Sequence, residues 1–574
     1  MNYRLTNYPL VLLMAFLLGA GITVNSHAQK KDNLGKEFYL AFGPNEGSND
    51  NENVFNLYIT GPVATKGYVE VPAINFREDF TVTPGQIYTV RLPNGANFGP
   101  TVEVTQNEIV VQGMAVHVVA DTEVAVYGMN HKMYSSDAFM GLPIDVLGTE
   151  YRTMNYQSSR LSQGGQTNNI PGQFWMVAVF DSTNVTITLN ATSYGGKSAK
   201  TPFNVLLNKG DTYLVQGDPD AKGNDLTGSL IESDLPLAVF TGHMRAGIPE
   251  GYNNVGTNRP SRDHLVEQEP PVSAWGDSAL VIPYATSDSP DVVRIVSAED
   301  NNTITVNGTV VGTYNAGQFY EIGRLTAPAS ISATNPILVG QFMHTSTYGL
   351  STPGQPDPYG DPALALVYPV EQFTTSYTFI SIVGQSFIGD YVNIVVEQNG
   401  VTGLLLDGVQ VSPTSFKPIT GSSYVYAQIK LDQGTHNLTG PKPFGITVYA
   451  LGNVDSYSYT GGTLLKTITP FKTDDIVIDF KDRALNQKDW SGQWDSVVSL
   501  QNISSDPLTI FYFQRRTGDT SNFSVEKPTP PHSIPAFVTD SMTLRFNPLG
   551  VPNIRRRTTI NAKTKHFRGF VVYV

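Results

Sequence analysis

Three histidines stand near the ends of similar segments: His131 closes EVAVYGMNH, His243 lies in PLAVFTGHM and His344 follows PILVGQFM. If such segments surround a pseudo-symmetry axis, His131, His243 and His344 could converge on Zn²⁺, which accepts imidazole nitrogens in tetrahedral sites. The plainer alternative is a hydrogen-bonded rim histidine at each strand end, and the pattern alone assigns no metal centre. A denser polar cluster follows the second segment, where His243, Arg245, Arg262, Asp263, His264, Glu267 and Trp275 flank the Pro270-Pro271 turn. Guanidinium groups near carboxylates form charge-assisted, often forked hydrogen bonds, so the cluster reads either as an ion-pair clamp or as a binding interface. Acidic loops at Asp50 and Glu52, at Asp218, Asp220 and Asp225, and at Asp357 and Asp361 offer hard oxygen ligands. Such ligands suit Ca²⁺, yet none of the loops follows the twelve-residue EF-hand order, and solvated turns have the same composition.

No catalytic residue is assigned. The chain has no HExxH, no GxSxG elbow and no Walker loop, the motifs that would supply a defined geometry for hydrolysis or phosphate binding. A polysaccharide hydrolase would need two carboxylates facing each other across a cleft, and no candidate pair stands out. Ser-His-Asp arrangements form in space rather than in sequence, so the spacing leaves that question to the fold.

The elements that would carry these residues repeat. The three histidine segments and PFGITVYALG recur at steps of about 100 residues, the signature of an array of similar small units. Each copy opens on an alternating run with a tight turn: NVFNLYITGPVATKGYVEVP, FWMVAVFDSTNVTITLN, VVRIVSAEDNNTITVNG and YVNIVVEQNGVTGLLLDG. Apolar residues at every second position, with Gly, Asn and Asp between the runs, predict β-hairpins. An aromatic-bearing strand follows in each copy: GQIYTVRLP, KGDTYLVQG, AGQFYEIGR and SSYVYAQIK. The units fall at about 35–131, 160–244, 278–344 and 375–452. Between them, Pro143, Pro271 and Pro369 each precede a large apolar residue, Leu147, Trp275 or Phe373, by four positions. This spacing predicts a rigid turn that docks an anchor between units.

Composition agrees with an all-β chain. Of 574 residues 40% are hydrophobic and 15% charged, with 52 Gly and 37 Pro, which supports several packed cores. Units of this length exceed ordinary propeller blades, so antiparallel β-sandwich-like modules are expected, with a propeller-like ring as the alternative. The net charge of −13, and no basic stripe with interleaved aromatics, argue against nucleic acid as a partner. Residues 1–28 carry Arg4, the apolar run PLVLLMAFLLGAGITV and Ser26-His27-Ala28 before Gln29, the three-part pattern of a secretory signal peptide. That leader predicts export, to the medium, the outer surface or the periplasm. No second apolar segment of spanning length follows it. The absence of cysteine removes disulfides, thiolate metal sites and a thiol nucleophile; in an exported chain it points to a bacterial source.

GKEFYLAFGPNEG, LPIDVLGTEY, DLTGSLIESDLPLAVFTGHM and, most specifically, HLVEQEPPVSAWG resemble the N-terminal domain of the IgGFc-binding protein family. GDPALALVYPVEQF and FGITVYALGNVDSYSYTGG extend the resemblance over residues 35–465. The resemblance implies non-catalytic binding or adhesion toward a host or matrix glycoprotein, with immunoglobulin Fc and mucin as candidate partners. It also implies a cysteine pair in animal members where this chain carries Arg245 and Arg262. Here an ion pair with Glu250, Asp263 or Glu267 would replace that staple. The alternative functions are self-association as a structural surface component and, behind it, polysaccharide hydrolysis. Tyr134, Tyr252, Tyr348 and Tyr359 lie in Gly-, Pro- and Asn-rich loops, where tyrosine makes contact area at low entropic cost. Residues 474–574 read as a further domain, an immunoglobulin-like sandwich of short strands.

Overall fold

The computed structural model describes residues 31–468 apart from 47–53, 96–99, 133, 164–165, 222, 251–260, 286–289, 346–359, 383–386 and 453–454. Beyond these it describes the strands between 476 and 573. The leader at 1–28, with Asp50, Glu52, Tyr252, Tyr348, Asp357 and Tyr359, lies outside the described residues.

The described region is all-β, and four units share one topology. Each is organised by a long strand: Val116–Lys132, Leu230–Ala246, Ala329–Phe342 and Gly434–Gly452. In the first unit the N-terminal half of the long strand pairs with the opening strand Gly35–Leu40 and with Thr65–Val71, one arm of the first hairpin. Its C-terminal half pairs with Val54–Thr60 and with a following inner strand, Ser135–Met140. The long strand therefore belongs to two sheets that curl over one core, which makes each unit sandwich-like. The inner strands of the other units are Asp263–Gln268, Leu364–Val367 and Ser456–Thr460. The Pro-to-apolar spacing corresponds to three 3₁₀ turns, Ile144–Val146, Val272–Ala274 and Val370–Gln372, each between its Pro and its apolar anchor.

The sandwich-like units close into a ring. The inner strands contact one another in sequence, first to second, second to third, third to fourth and fourth to first. The ring is sealed near its ends by Asp32 bridging to Leu464, with the Leu465 amide donating to the Lys31 carbonyl. The largest apolar cluster draws side chains from all four units, among them Tyr127, Tyr156, Phe342 and Tyr459.

Closure creates a specific problem. Each inner strand pairs with its long strand alone, so its free edge turns N–H groups toward a dry centre where water cannot satisfy them. Asp137 answers it. Its Oδ1 accepts from the amides of Ala138 at 2.9 Å and Ser458 at 3.1 Å, and its Oδ2 from those of Val266 and Leu364, both at 3.1 Å. These four residues hold one register position: they lie opposite Met129, Tyr449, Gly242 and Phe342 on the four long strands. One fully buried carboxylate thus ties four units together.

Between 476 and 573 the chain forms two four-stranded antiparallel sheets. The first joins Ile476–Ile478, Thr558–Thr564, Leu508–Gly518 and His532–Ile534; the second joins Phe523–Lys527, Thr539–Phe546, Trp494–Asn502 and Phe570–Tyr573.

Asp137→Asn tests the central carboxylate. An amide NH₂ would face two backbone donors and leave both without acceptors, so chemical denaturation should show a loss of about 3 kcal/mol. A loss below about 0.5 kcal/mol would mean the ring does not depend on this group.

Candidate functional site

The polar cluster of the middle connector is brought together at the junction of the first and second units. Arg245 sits at the end of the second long strand and reaches three ways. Its Nη1 lies 2.8 Å from Glu46 Oε2, its Nε donates to the Arg262 carbonyl at 3.2 Å, and its Nη2 donates to the Tyr134 carbonyl at 3.3 Å. Arg262 forks onto Glu250 at 3.0 and 3.1 Å with its side chain 8% exposed. Of the three acids considered as partners for Arg262, the fold selects Glu250. Arg245 and Arg262, the positions at which the resemblance implies cysteines, are in hydrogen-bond contact.

The histidines of the cluster are buried and neutral. His243 Nε2 faces the Gln157 carbonyl at 3.1 Å and donates to it, so its Nδ1 accepts from the Arg245 amide at 3.0 Å. His264 Nε2 accepts from Asn130 Nδ2 at 3.3 Å. Burial pushes the pKa of His243 down to about 4 and that of His264 to about 3. Trp275 is 1% exposed and its indole N–H donates to the Pro270 carbonyl at 3.1 Å, which fixes the turn it follows.

Asp263 and Glu267 belong to the ring centre instead. Asp263 Oδ1 accepts from the amides of Ser136 and His264. Glu267 Oε1 accepts from the Leu366 amide at 3.3 Å. Both therefore continue, above and below Asp137, its task of satisfying open strand edges. Burial pushes both carboxyls well above the usual range, with neighbouring acids adding to the effect.

His131, His243 and His344 do not converge. His131 lies opposite Ser136 on its inner strand, whereas His243 lies opposite Leu265, one register position away. A one-residue offset turns a side chain to the other face of a strand. His131 and His344 each fall two residues beyond the shared register position of Met129 and Phe342, but they face different partners: His131 Nδ1 is 3.7 Å from Asp455, and His344 Nδ1 is 2.8 Å from the Thr345 carbonyl. Among the described residues no three His, Cys, Asp or Glu side chains are placed to hold a metal ion. The acidic loop residues that are described are engaged within the protein. Asp220 pairs with Arg160, Asp225 pairs with Arg294 at 2.8 Å, Asp218 accepts the Asp220 amide at 2.9 Å, and Asp361 accepts from Ser261 Oγ.

One Ser-His-Asp arrangement does form in space, in the fourth unit. Ser381 Oγ is 3.4 Å from His436 Nε2, and His436 Nδ1 is 2.8 Å from Asp407 Oδ2. Nucleophilic catalysis requires a base nitrogen free to take the serine proton. Here Nε2 donates to the Asp432 carbonyl at 2.8 Å, Ser381 Oγ donates to the same carbonyl at 2.8 Å, and the serine is fully buried. The arrangement pins the Asp407 turn, whose φ is 50°, and presents no nucleophile.

Sequence reasoning missed Asp137 at the ring centre and Glu46 at this junction, whereas Tyr134, which it read as a loop contact residue, does stand at the junction. Tyr134 is 53% exposed with φ of 60°, a left-handed backbone that a bulky residue adopts only when its surroundings hold it there. The Arg245 bond to its carbonyl is one such hold.

Two measurements follow. Arg262→Ala strands Glu250 and should cost about 2 kcal/mol of stability; an unchanged Tm would remove the clamp assignment. Burial also raises the carboxyls of Asp291 and Asp455 to about 7 and of Glu269 to about 8. A carboxyl raised above its unfolded value stabilises the fold at low pH and loses that contribution as pH rises through its folded pKa. His243 and His264, lowered on folding, contribute stability present above about pH 6.5 and lost toward 4. Above 6.5 only the carboxyls still titrate, so Tm should be lower at pH 8.5 than at pH 6.5, and Glu269→Gln should reduce that difference. A flat Tm over this range would contradict the assignment.

Among the described residues no helix is long and apolar enough to cross a membrane. A family model described as IgGFc binding protein matches residues 137–450. The human IgGFc-binding protein is 24% identical over 469 residues, a match that spans 78% of this chain and 8% of that protein. The family match runs from the central Asp137 through the middle connector to the last long strand, and the chain belongs to the IgGFc-binding protein family.

Proposed function

We propose that this is an exported, non-catalytic binding protein that uses the junction of its first two units to recognise a protein or glycoprotein partner. The observation that carries this reading is Tyr134. It is an exposed aromatic in a left-handed conformation, and Arg245, itself paired with Glu46, bonds to its carbonyl. A half-exposed tyrosine whose backbone is held in place offers amphipathic contact area at low entropic cost. The buried histidines, Trp275 and the Arg262–Glu250 fork are the frame behind it rather than the contact surface. The name of the human relative makes immunoglobulin Fc the first partner to try; mucin glycoprotein is the second candidate we would test. Export rests on the Arg4, apolar run and Ser26-His27-Ala28 pattern.

Surface-plasmon binding of the chain from Gln29 onward against Fc, mucin and itself, with calcium and with chelator, tests the reading. Saturable binding to Fc or mucin that weakens about tenfold in Tyr134→Ala, with unchanged Tm, would support it. Self-association with no response to either glycoprotein would replace it by the structural role.

A further inference from the structure

We infer that the cleft between the first and second units is a binding site for a neutral, hydroxyl-rich saccharide unit. This deepens the glycoprotein reading and rests on it. The cleft has a volume of about 370 Å³, enough for a sugar ring; the gap between the third and fourth units, at about 30 Å³, is only water-sized. Its walls come from both units: Pro44, Asn45, Glu103 and Lys132 from one, and Asn169, Pro171, Tyr194 and Gln216 from the other.

Its chemistry is selective. The two charges at the cleft cancel, because Lys132 Nζ sits 3.0 and 3.2 Å from the Glu103 oxygens with side chains 7% and 11% exposed. Lys132 also donates to the Asn45 carbonyl at 2.8 Å, and Glu103 accepts the Asn45 amide at 2.8 Å, so the pair is spent on holding the wall. A charged ligand finds no countercharge there. A purely apolar ligand would strip water from Asn169 and Thr105, whose side chains make no hydrogen bond to any described residue, and that loss would be uncompensated. Tyr194 supplies a ring 53% exposed at the cleft, and no described residue bonds its hydroxyl. A flat aromatic face beside uncharged amide and hydroxyl groups matches a pyranose, which has apolar C–H faces and an equator of hydroxyls.

The cleft is also preformed. The Gln173 amide donates to the Pro44 carbonyl at 2.6 Å, the Met244 amide to the Pro171 carbonyl at 2.9 Å, and the Tyr194 amide to the Gln216 carbonyl at 2.8 Å. The first, from the Gln173 side chain, ties the two units together, and the other two fix the wall of the second unit, so little ordering is left to be done on binding. Met244 on the wall adjoins Arg245, which places the cleft beside Tyr134.

Saturation-transfer NMR and calorimetric titration of the intact protein with galactose, N-acetylglucosamine and mannose, with sialic acid as the charged comparison, test the site. Saturable millimolar binding of at least one neutral sugar is expected, weakened about tenfold in Tyr194→Ala and kept in Tyr194→Phe, with both variants at the parent Tm. No saturable binding of any neutral sugar, binding of sialic acid alone, or binding indifferent to Tyr194→Ala would overturn the inference. Fc or mucin binding that persists in Tyr194→Ala while the neutral sugars fail would overturn this site alone and leave recognition of the polypeptide standing.

Discussion

Four open strand edges meeting in a dry centre are the constraint from which the rest of this structure follows. A ring of β-units abolishes the outer edges of an array only by pointing inner ones at each other. In this ring the inner N–H groups are taken up by carboxyl oxygens: Asp137 in the middle, Asp263 on one side and Glu267 on the other. The symmetry cannot be exact. Leu265 is the counterpart of Asp137 by register, lying opposite His243 as Asp137 lies opposite Asn130. Carboxylates on all inner strands at that level would share one dry site and repel. The units therefore have to differ in sequence at the position where they are closest in space, which is a physical reason for the repeat to be imperfect.

The same constraint sorts the polar cluster of the middle connector. Residues that look alike in sequence, a run of Arg, Asp, His and Glu between 262 and 267, alternate along one inner strand and its approach. Asp263 and Glu267 serve the centre, while Arg262 turns outward to Glu250. A group already bonded on every side contributes stability and position rather than recognition. At the rim of the junction Tyr134 and Tyr194 stay about half exposed, which is why the proposed recognition is placed there.

Much of this was legible in the chain. The long strands and their hairpins were readable because alternation and β-branched content are strong local signals, and the Pro-to-apolar spacing located three turns that anchor the connectors. The inner strands were not. DAFM, HLVEQ, LALV and YSYT share no pattern, since each faces a different mixture of edge amides and aromatic rings. Asp137 resembled any other aspartate because its partners lie 129, 227 and 321 residues away. His243 misled for a simpler reason: strand ends align by eye to within a residue, and one residue reverses the face.

The cysteine-free junction shows what the frame has to accomplish. A disulfide at positions 245 and 262 would join two strands by restricting the unfolded chain. The arginines act on the folded state, and their hold extends further. Arg245 alone connects the second long strand to Glu46 in the first unit, to the approach of the second inner strand and to the Tyr134 carbonyl. A covalent bridge between the two strands would make no contact with Glu46 or with the Tyr134 carbonyl. The guanidinium pair instead couples the position of the exposed tyrosine to the packing of two units. That coupling also sets the geometry of the cleft beside it, because Glu46 donates its amide to the carbonyl of Met244 on the cleft wall. In this cysteine-free junction, guanidinium contacts rather than a covalent bond link ring assembly to the rim.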